Sequence, residues 1–68
     1  MTVFGERLKE LRTEKKMSQK QLSIVLNYSQ SVICDWENSK VEPTATAIVT
    51  VAEYFNVSTD FLLGQKDF

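Results

Sequence analysis

The chain contains no histidine and a single cysteine, Cys34. Neither a disulfide nor a Cys/His zinc site can therefore form within one chain. With two glycines among 68 residues it also lacks a glycine-rich phosphate loop, and no nucleophile has a base nearby in sequence. Catalysis lacks its usual residues, so we expect no enzyme, no metal site, no cofactor and no small-molecule ligand.

Long apolar runs are also missing. No run approaches the ~18 residues that a membrane-spanning helix needs, and no charged-then-apolar signal segment opens the chain. We therefore expect a cytoplasmic protein with no membrane contact. A chain of 68 residues allows one domain, residues 1–68, close to the lower limit at which a single core suffices. Stability must come from helix packing, with a dimer partner as a further source.

Charge is unevenly distributed along the chain. The net charge is −1, yet residues 1–20 hold six basic and three acidic residues, whereas residues 21–68 hold two basic and six acidic ones. A basic N-terminal segment is typical of a protein that contacts phosphate with one surface only. Helices with mixed, solvated charges would give the same pattern, so charge alone leaves both interpretations open.

Residues 18–38 predict two short helices joined by a tight turn. Ser18 is a suitable N-cap, and Gln21 can return the hydrogen bond to complete a capping box. Asn27 tolerates the left-handed conformation that ends helices, and Ser29 can cap the next helix. The turn is therefore about three residues long, which sets the two helices at a steep angle, as in a helix-turn-helix.

The second of these helices has two different faces at about 100° per residue. The apolar face holds Val32, Ile33 and Trp36, and the small polar face holds Gln30, Ser31, Cys34, Asp35 and Asn38. Amide, hydroxyl and carboxylate groups are those that read base edges in a major groove. Gln30 is the first candidate for a base contact, followed by Ser31 and Asp35, and Cys34 shares their face.

Two helix N-termini lie within the same stretch, and their free N–H groups favour phosphate. We assign contacts with the DNA backbone to Gln19, Ser29, Asn38 and Lys40, which would fix register without reading sequence. The carboxylate of Asp35 is repelled by phosphate. We therefore expect weaker non-specific binding and greater discrimination than a neutral residue would give.

Apolar residues at helical spacing predict three further helices. The stripes are Phe4, Leu8 and Leu11 in the first helix, and Ile48, Val51, Ala52 and Phe55 in the fourth. Thr44, after Pro43, caps the fourth helix, and Asn56 ends it. Ser58 caps the fifth, and Gly64 supplies its stop.

Four segments resemble the XRE-type family, the Cro and phage-repressor kind of helix-turn-helix protein. They are FGERLKELR (4–12), MSQKQL (17–22), WENSKVEP (36–43) and AEYFNVSTDFLLG (52–64). The resemblance covers nearly the whole chain and implies an all-α, five-helix, lambda-repressor-like DNA-binding domain. It further implies a bacterial or phage transcriptional regulator, a repressor that binds a palindromic double-stranded operator as a homodimer.

The resemblance also implies an ion pair between Arg12 and Glu37 that ties the first helix to the third. A solvated or phosphate-contacting Arg12 is the alternative. Three positions that the family often fills with glycine are Lys16, Asn27 and Ser39 here. If their backbones keep the left-handed geometry, each costs up to about 1 kcal/mol, least for the asparagine.

Two apolar groups are left without a single interpretation. Ile24 and Val25 stand where the family usually has polar residues, and we favour a place in the core or at its rim over a patch that binds a partner. The apolar side chains near the end, Tyr54, Phe61, Leu63 and Phe68, fit both terminal packing and a homodimer interface. A module that kept the fold but binds protein instead of DNA is the alternative function.

Overall fold

The computed structural model describes residues 2–67, with the backbone alone at Thr2, and contains five α-helices. They are α1 (Thr2–Glu14), α2 (Gln19–Leu26), α3 (Gln30–Glu37), α4 (Ala45–Phe55) and α5 (Thr59–Leu62). No strand occurs in this range, which confirms the predicted all-α class. Among the same residues, every helix is too short or too polar to cross a bilayer. Phe68 lies outside the described residues.

Side-chain caps define where α2 to α5 begin. Ser18, Ser29, Thr44 and Ser58 have extended backbones, and each side chain accepts the N–H of the residue three positions on, at 3.0–3.2 Å. Gln21 Oε1 accepts the Ser18 N–H at 2.8 Å, which completes the predicted capping box. These local hydrogen bonds satisfy donors that helices leave unpaired at their first turn.

Left-handed residues end the helical segments. Lys16, Asn27 and Ser39 have φ values of 56°, 61° and 59°, so all three positions keep the expected geometry without glycine. Asn56 adopts the same conformation at the end of α4, with φ 56°. The two asparagines fit it at little cost, whereas lysine and serine each lose up to ~1 kcal/mol.

All five helices contribute to one core. Its buried members are Phe4 and Leu8 of α1, Leu22 and Leu26 of α2, Ile33 and Trp36 of α3, Ala47, Val51, Ala52 and Phe55 of α4, and Leu62 of α5. The predicted stripes are therefore confirmed, with Leu11 and Ile48 half-buried at the margin. Trp36 packs edge-on against Phe4 and Tyr28, with ring centroids 5.9 and 4.9 Å apart. The core thus packs against the apolar face of α3.

The sequence favours a place for Ile24 and Val25 in the core or at its rim, and the core part of this expectation is wrong. Ile24 is 69% exposed and Val25 47% exposed. The buried residues of α2 are Leu22, Ser23 and Leu26. At about 100° per residue, Ile24 points away from that buried side. Both side chains therefore form an apolar patch on the outside of α2.

Terminal packing accounts for part of the apolar end of the chain. Phe61 and Leu63 are half-buried, and the Arg7 guanidinium carbon lies 4.3 Å from the centre of the Phe61 ring. Tyr54 remains 40% exposed, while its hydroxyl lies 3.8 Å from the Met17 sulfur. Among Tyr54, Phe61 and Leu63, Tyr54 therefore has the most exposed side chain.

Gly5 allows α1 to cross the end of α3 at very short range. A β-carbon at this position would collide with the carbonyl oxygen of Trp36 and lie 3.0 Å from that of Glu37. Both neighbours are backbone atoms of a helix, so they cannot swing aside as a side chain would. The absence of a side chain at Gly5 therefore fixes how closely α1 and α3 approach.

Gly5→Ala should destabilise the fold although alanine is the better helix former. The propensity gain is about 1 kcal/mol, whereas overpacking against rigid backbone costs about 1–3 kcal/mol. We expect a melting temperature several degrees lower by circular dichroism. Lys9→Ala, at an exposed position of the same helix, is the control and should change little. A Gly5→Ala protein as stable as the wild type would refute the close crossing.

Candidate nucleic-acid interface

The side chains that the sequence assigned to base contact lie along α3. Gln30 and Ser31, in its first turn, are exposed, while Cys34 and Asp35 are half-buried farther along. The buried Ile33 and Trp36 anchor the opposite face. The structure therefore brings the four candidates onto one helix and leaves its N-terminal pair most accessible.

Local hydrogen bonds order this surface. The hydroxyls of Ser29 and Ser31 lie 3.2 Å apart at the N-terminus of α3. At the other end, Asn38 Nδ2 donates to Cys34 Sγ at 3.3 Å. A thiol that accepts from a neighbouring amide behaves here as a small polar surface group, and Asn38 keeps its amide oxygen for other partners.

The four residues assigned to phosphate contact divide into two groups. Ser29, Asn38 and Lys40 are exposed at the two ends of α3. Gln19 is half-buried instead, and its side-chain Nε2 donates to Glu37 Oε1 at 3.1 Å. The Gln19 amide thus already has a protein partner, which the sequence did not indicate.

Arg12 and Glu37 form a two-point ion pair between α1 and α3. Arg12 Nε donates to Glu37 Oε2 at 2.7 Å, and Arg12 Nη2 donates to Oε1 at 3.0 Å. The third guanidinium nitrogen, Nη1, donates to the Met17 carbonyl at 2.8 Å, just before α2. One arginine therefore joins α1, the entry to α2 and the end of α3.

This pair is largely shielded from water. The side chains of Arg12 and Glu37 are 13% and 3% exposed. The hydrogen bonds that Arg12 donates to Glu37 raise the pKa of Arg12 above its ordinary value, against the opposing effect of burial. A pKa that is raised in the folded state stabilises the fold fully at any pH below the pKa of the unfolded state. This stabilisation is lost as the pH rises through the pKa of the folded state. Arg12 therefore keeps its positive charge throughout the physiological range.

Two further features of the site escaped sequence reasoning. Gly5 lies mid-helix without any capping role, and such a glycine is the sequence signal for a close approach. The bond from Gln19 to Glu37 joins residues 18 positions apart and has no local signal. Among residues 2–67, no group of three or more Cys, Asp or Glu side chains is placed to hold a metal ion.

The chain is similar in sequence to several known proteins. The helix-turn-helix family model matches residues 8–62. The chain is 38% identical over 61 residues to YonR, a prophage-derived uncharacterized HTH-type transcriptional regulator of Bacillus subtilis, covering 90% of this chain and 56% of that protein. It is 34% identical over 64 residues to the HTH-type transcriptional activator BcrR of Enterococcus faecalis, covering 94% of this chain and 31% of that protein. The chain thus spans between just under a third and just over half of the length of these relatives.

A solved structure extends the comparison to the fold. The P22 c2 repressor, crystallised with a synthetic operator, superimposes with a TM-score of 0.85 at 28% sequence identity. The superposition covers 93% of this chain and 96% of the repressor chain. The five helices are therefore arranged as in a repressor domain that was crystallised on operator DNA.

Removing Arg12 alone should cost more than removing both members of the ion pair. Arg12→Met leaves the Glu37 carboxylate buried without its cation, and we expect a loss of about 3–5 kcal/mol in the free energy of unfolding. The double variant Arg12→Met/Glu37→Leu should recover a large part of this loss, because no buried charge remains. Urea denaturation measures both.

Arg7→Met is the matched control for this experiment. Its guanidinium contacts the Phe61 ring and lies 3.9 Å from the exposed carboxylate of Asp67, so its loss buries no unpaired charge. A cation–π contact of this kind is worth up to about 1 kcal/mol. Equal destabilisation by Arg12→Met and Arg7→Met would contradict the account.

Proposed function

The chain belongs to the helix-turn-helix family, and from that premise we propose that it is a transcriptional regulator that binds double-stranded DNA sequence-specifically. The observation that carries the proposal is the surface of α3. Gln30 and Ser31 point outward from its first turn, while Ile33 and Trp36 are buried behind it. An α-helix with such a surface fits a major groove, and its amide and hydroxyl groups can bond to base edges.

Gln30 is the principal base-reading residue in this proposal. Its side chain has both a donor and an acceptor, the pair that matches adenine N6 and N7. Ser31, beside it, can bond to several bases, and Asp35 can accept from cytosine N4. Cys34 lies between them on the same surface and would add a small contact. Specificity would therefore be concentrated at the N-terminal half of α3.

Phosphate contacts would fix the register of α3 on the duplex. Ser29 at its N-terminus, and Asn38 with Lys40 just past its end, are exposed on either side of the base-reading residues. The N-terminus of α2, at Gln19, adds backbone N–H groups and the positive end of a helix dipole. Together they would hold α3 in place without reading sequence.

The regulator, of bacterial or phage origin, would act as a homodimer on DNA in the cytoplasm. Two copies would meet two half-sites about 34 Å apart on a palindromic operator. Repression follows from occupying the operator, which needs DNA binding alone. The names of the related proteins include both an activator and a repressor. Repression, as opposed to activation, is therefore part of this proposal.

The exposed patch on α2 favours a second candidate function. With Ile24 69% exposed and Val25 47% exposed, α2 offers an apolar surface that DNA contact leaves unused. A protein-interaction module that no longer reads DNA would use this patch and would need no groove-facing glutamine. Failure of the wild-type chain to bind any duplex, even at low salt, would favour this candidate.

Selection from a random duplex pool tests the proposed function. We expect enrichment of one palindromic sequence, followed by tighter binding to it than to a scrambled duplex in fluorescence anisotropy. Gln30→Ala should weaken binding to the selected duplex roughly tenfold or more, because a two-point base contact is worth about 1–3 kcal/mol. Binding to the scrambled duplex should change little.

Gln65→Ala is the matched control, since Gln65 is an exposed glutamine beyond α5. It should bind both duplexes as the wild type does. Enrichment of no sequence, or equal losses for the two glutamine variants, would contradict the proposal.

A further inference from the structure

The side chain of Gln19 is turned toward protein. It belongs to the first residue of α2, yet its Nε2 donates to Glu37 Oε1, an oxygen at the end of α3. The same oxygen accepts from Arg12 Nη2 at 3.0 Å. The Glu37 carboxylate therefore receives three hydrogen bonds from two helices, α1 and α2, while remaining 3% exposed.

We propose that the Gln19 side chain is a positioning group for α3, acting through Glu37, and that phosphate contact at this place rests on backbone N–H groups. The inference depends on the proposed DNA-binding function. The arginine fixes the distance from α1 to the end of α3. The glutamine adds a direct bond from the start of α2 to the same point, and so fixes the angle within the helix-turn-helix.

Backbone donors can serve phosphate without the glutamine side chain. The first N–H groups of a helix have no partner within it, and they lie at the positive end of its dipole. In α2 the Ser18 side chain accepts the N–H of Gln21. The N–H groups of Gln19 and Lys20 come before it in the same turn. A substitution at position 19 that keeps the backbone therefore keeps these donors.

Positioning and phosphate contact have different signatures. A lost phosphate contact weakens binding to all sequences alike and lowers the salt dependence by about one unit of slope. A displaced reading helix weakens binding to the selected duplex and leaves scrambled DNA nearly unaffected, because only base contacts need α3 at the correct angle. The ratio of the two affinities therefore separates the roles.

The test uses Gln19→Met, which keeps the length of the side chain and removes its donor. We expect the preference for the selected over the scrambled duplex to fall about three- to tenfold, the effect of losing one hydrogen bond of ordinary net strength. The salt slope on scrambled DNA should remain that of the wild type. In a Gln30→Ala background the same substitution should cost less, because one base contact that depends on the angle is already gone.

Gln21→Met is the matched control, since it removes an amide from the same helix and breaks the capping box without touching Glu37. It should lower thermal stability and leave the preference between duplexes intact. Uniform loss on both duplexes with a smaller salt slope for Gln19→Met would overturn the inference in favour of a phosphate contact. An unchanged preference would overturn it as well. Neither result affects the proposed function, which is tested separately by the preference of the wild type and by the Gln30→Ala variant.

Discussion

The ion pair between Arg12 and Glu37 is the constraint on which the placement of α3 depends. Buried pairs of this kind contribute little net stability, because removing two charges from water costs about as much as their attraction returns. Their effect is geometric. The planar guanidinium engages both oxygens of Glu37 and the Met17 carbonyl, so α1, the entry to α2 and the end of α3 keep one relative position.

Packing contacts also hold α3 against α1. Gly5 lets α1 approach the last carbonyls of α3, and Trp36 lies against Phe4 of α1 and Tyr28 of the turn. The end of α3 is therefore fixed by charge, by backbone contact and by the aromatic rings around Trp36. Its first turn carries the Ser29 cap and buries Ile33, while Gln30 and Ser31 remain exposed.

Local features of the fold could be predicted from sequence because their causes are local. The caps at Ser18 and Ser29 and the left-handed Asn27 depend on residues within one turn, and each appears where the sequence indicates it. The Arg12 and Glu37 side chains meet as the family resemblance implied. The outward direction of Ile24 did not follow, since apolar character indicated burial whereas the position of Leu22 and Leu26 decided it. The partner of Gln19 could not be predicted either, because it depends on the angle between two helices.

Backbone amide shifts during titration with the selected duplex test the central claim most directly. We predict that the largest changes fall within residues 29–40 and at residues 18–20, the segments proposed to contact DNA. The amides of Ile24 and Val25, on the outer side of α2, should move little. Changes concentrated at Ile24 and Val25, with residues 29–35 unaffected, would contradict the claim that α3 is the element that enters the groove.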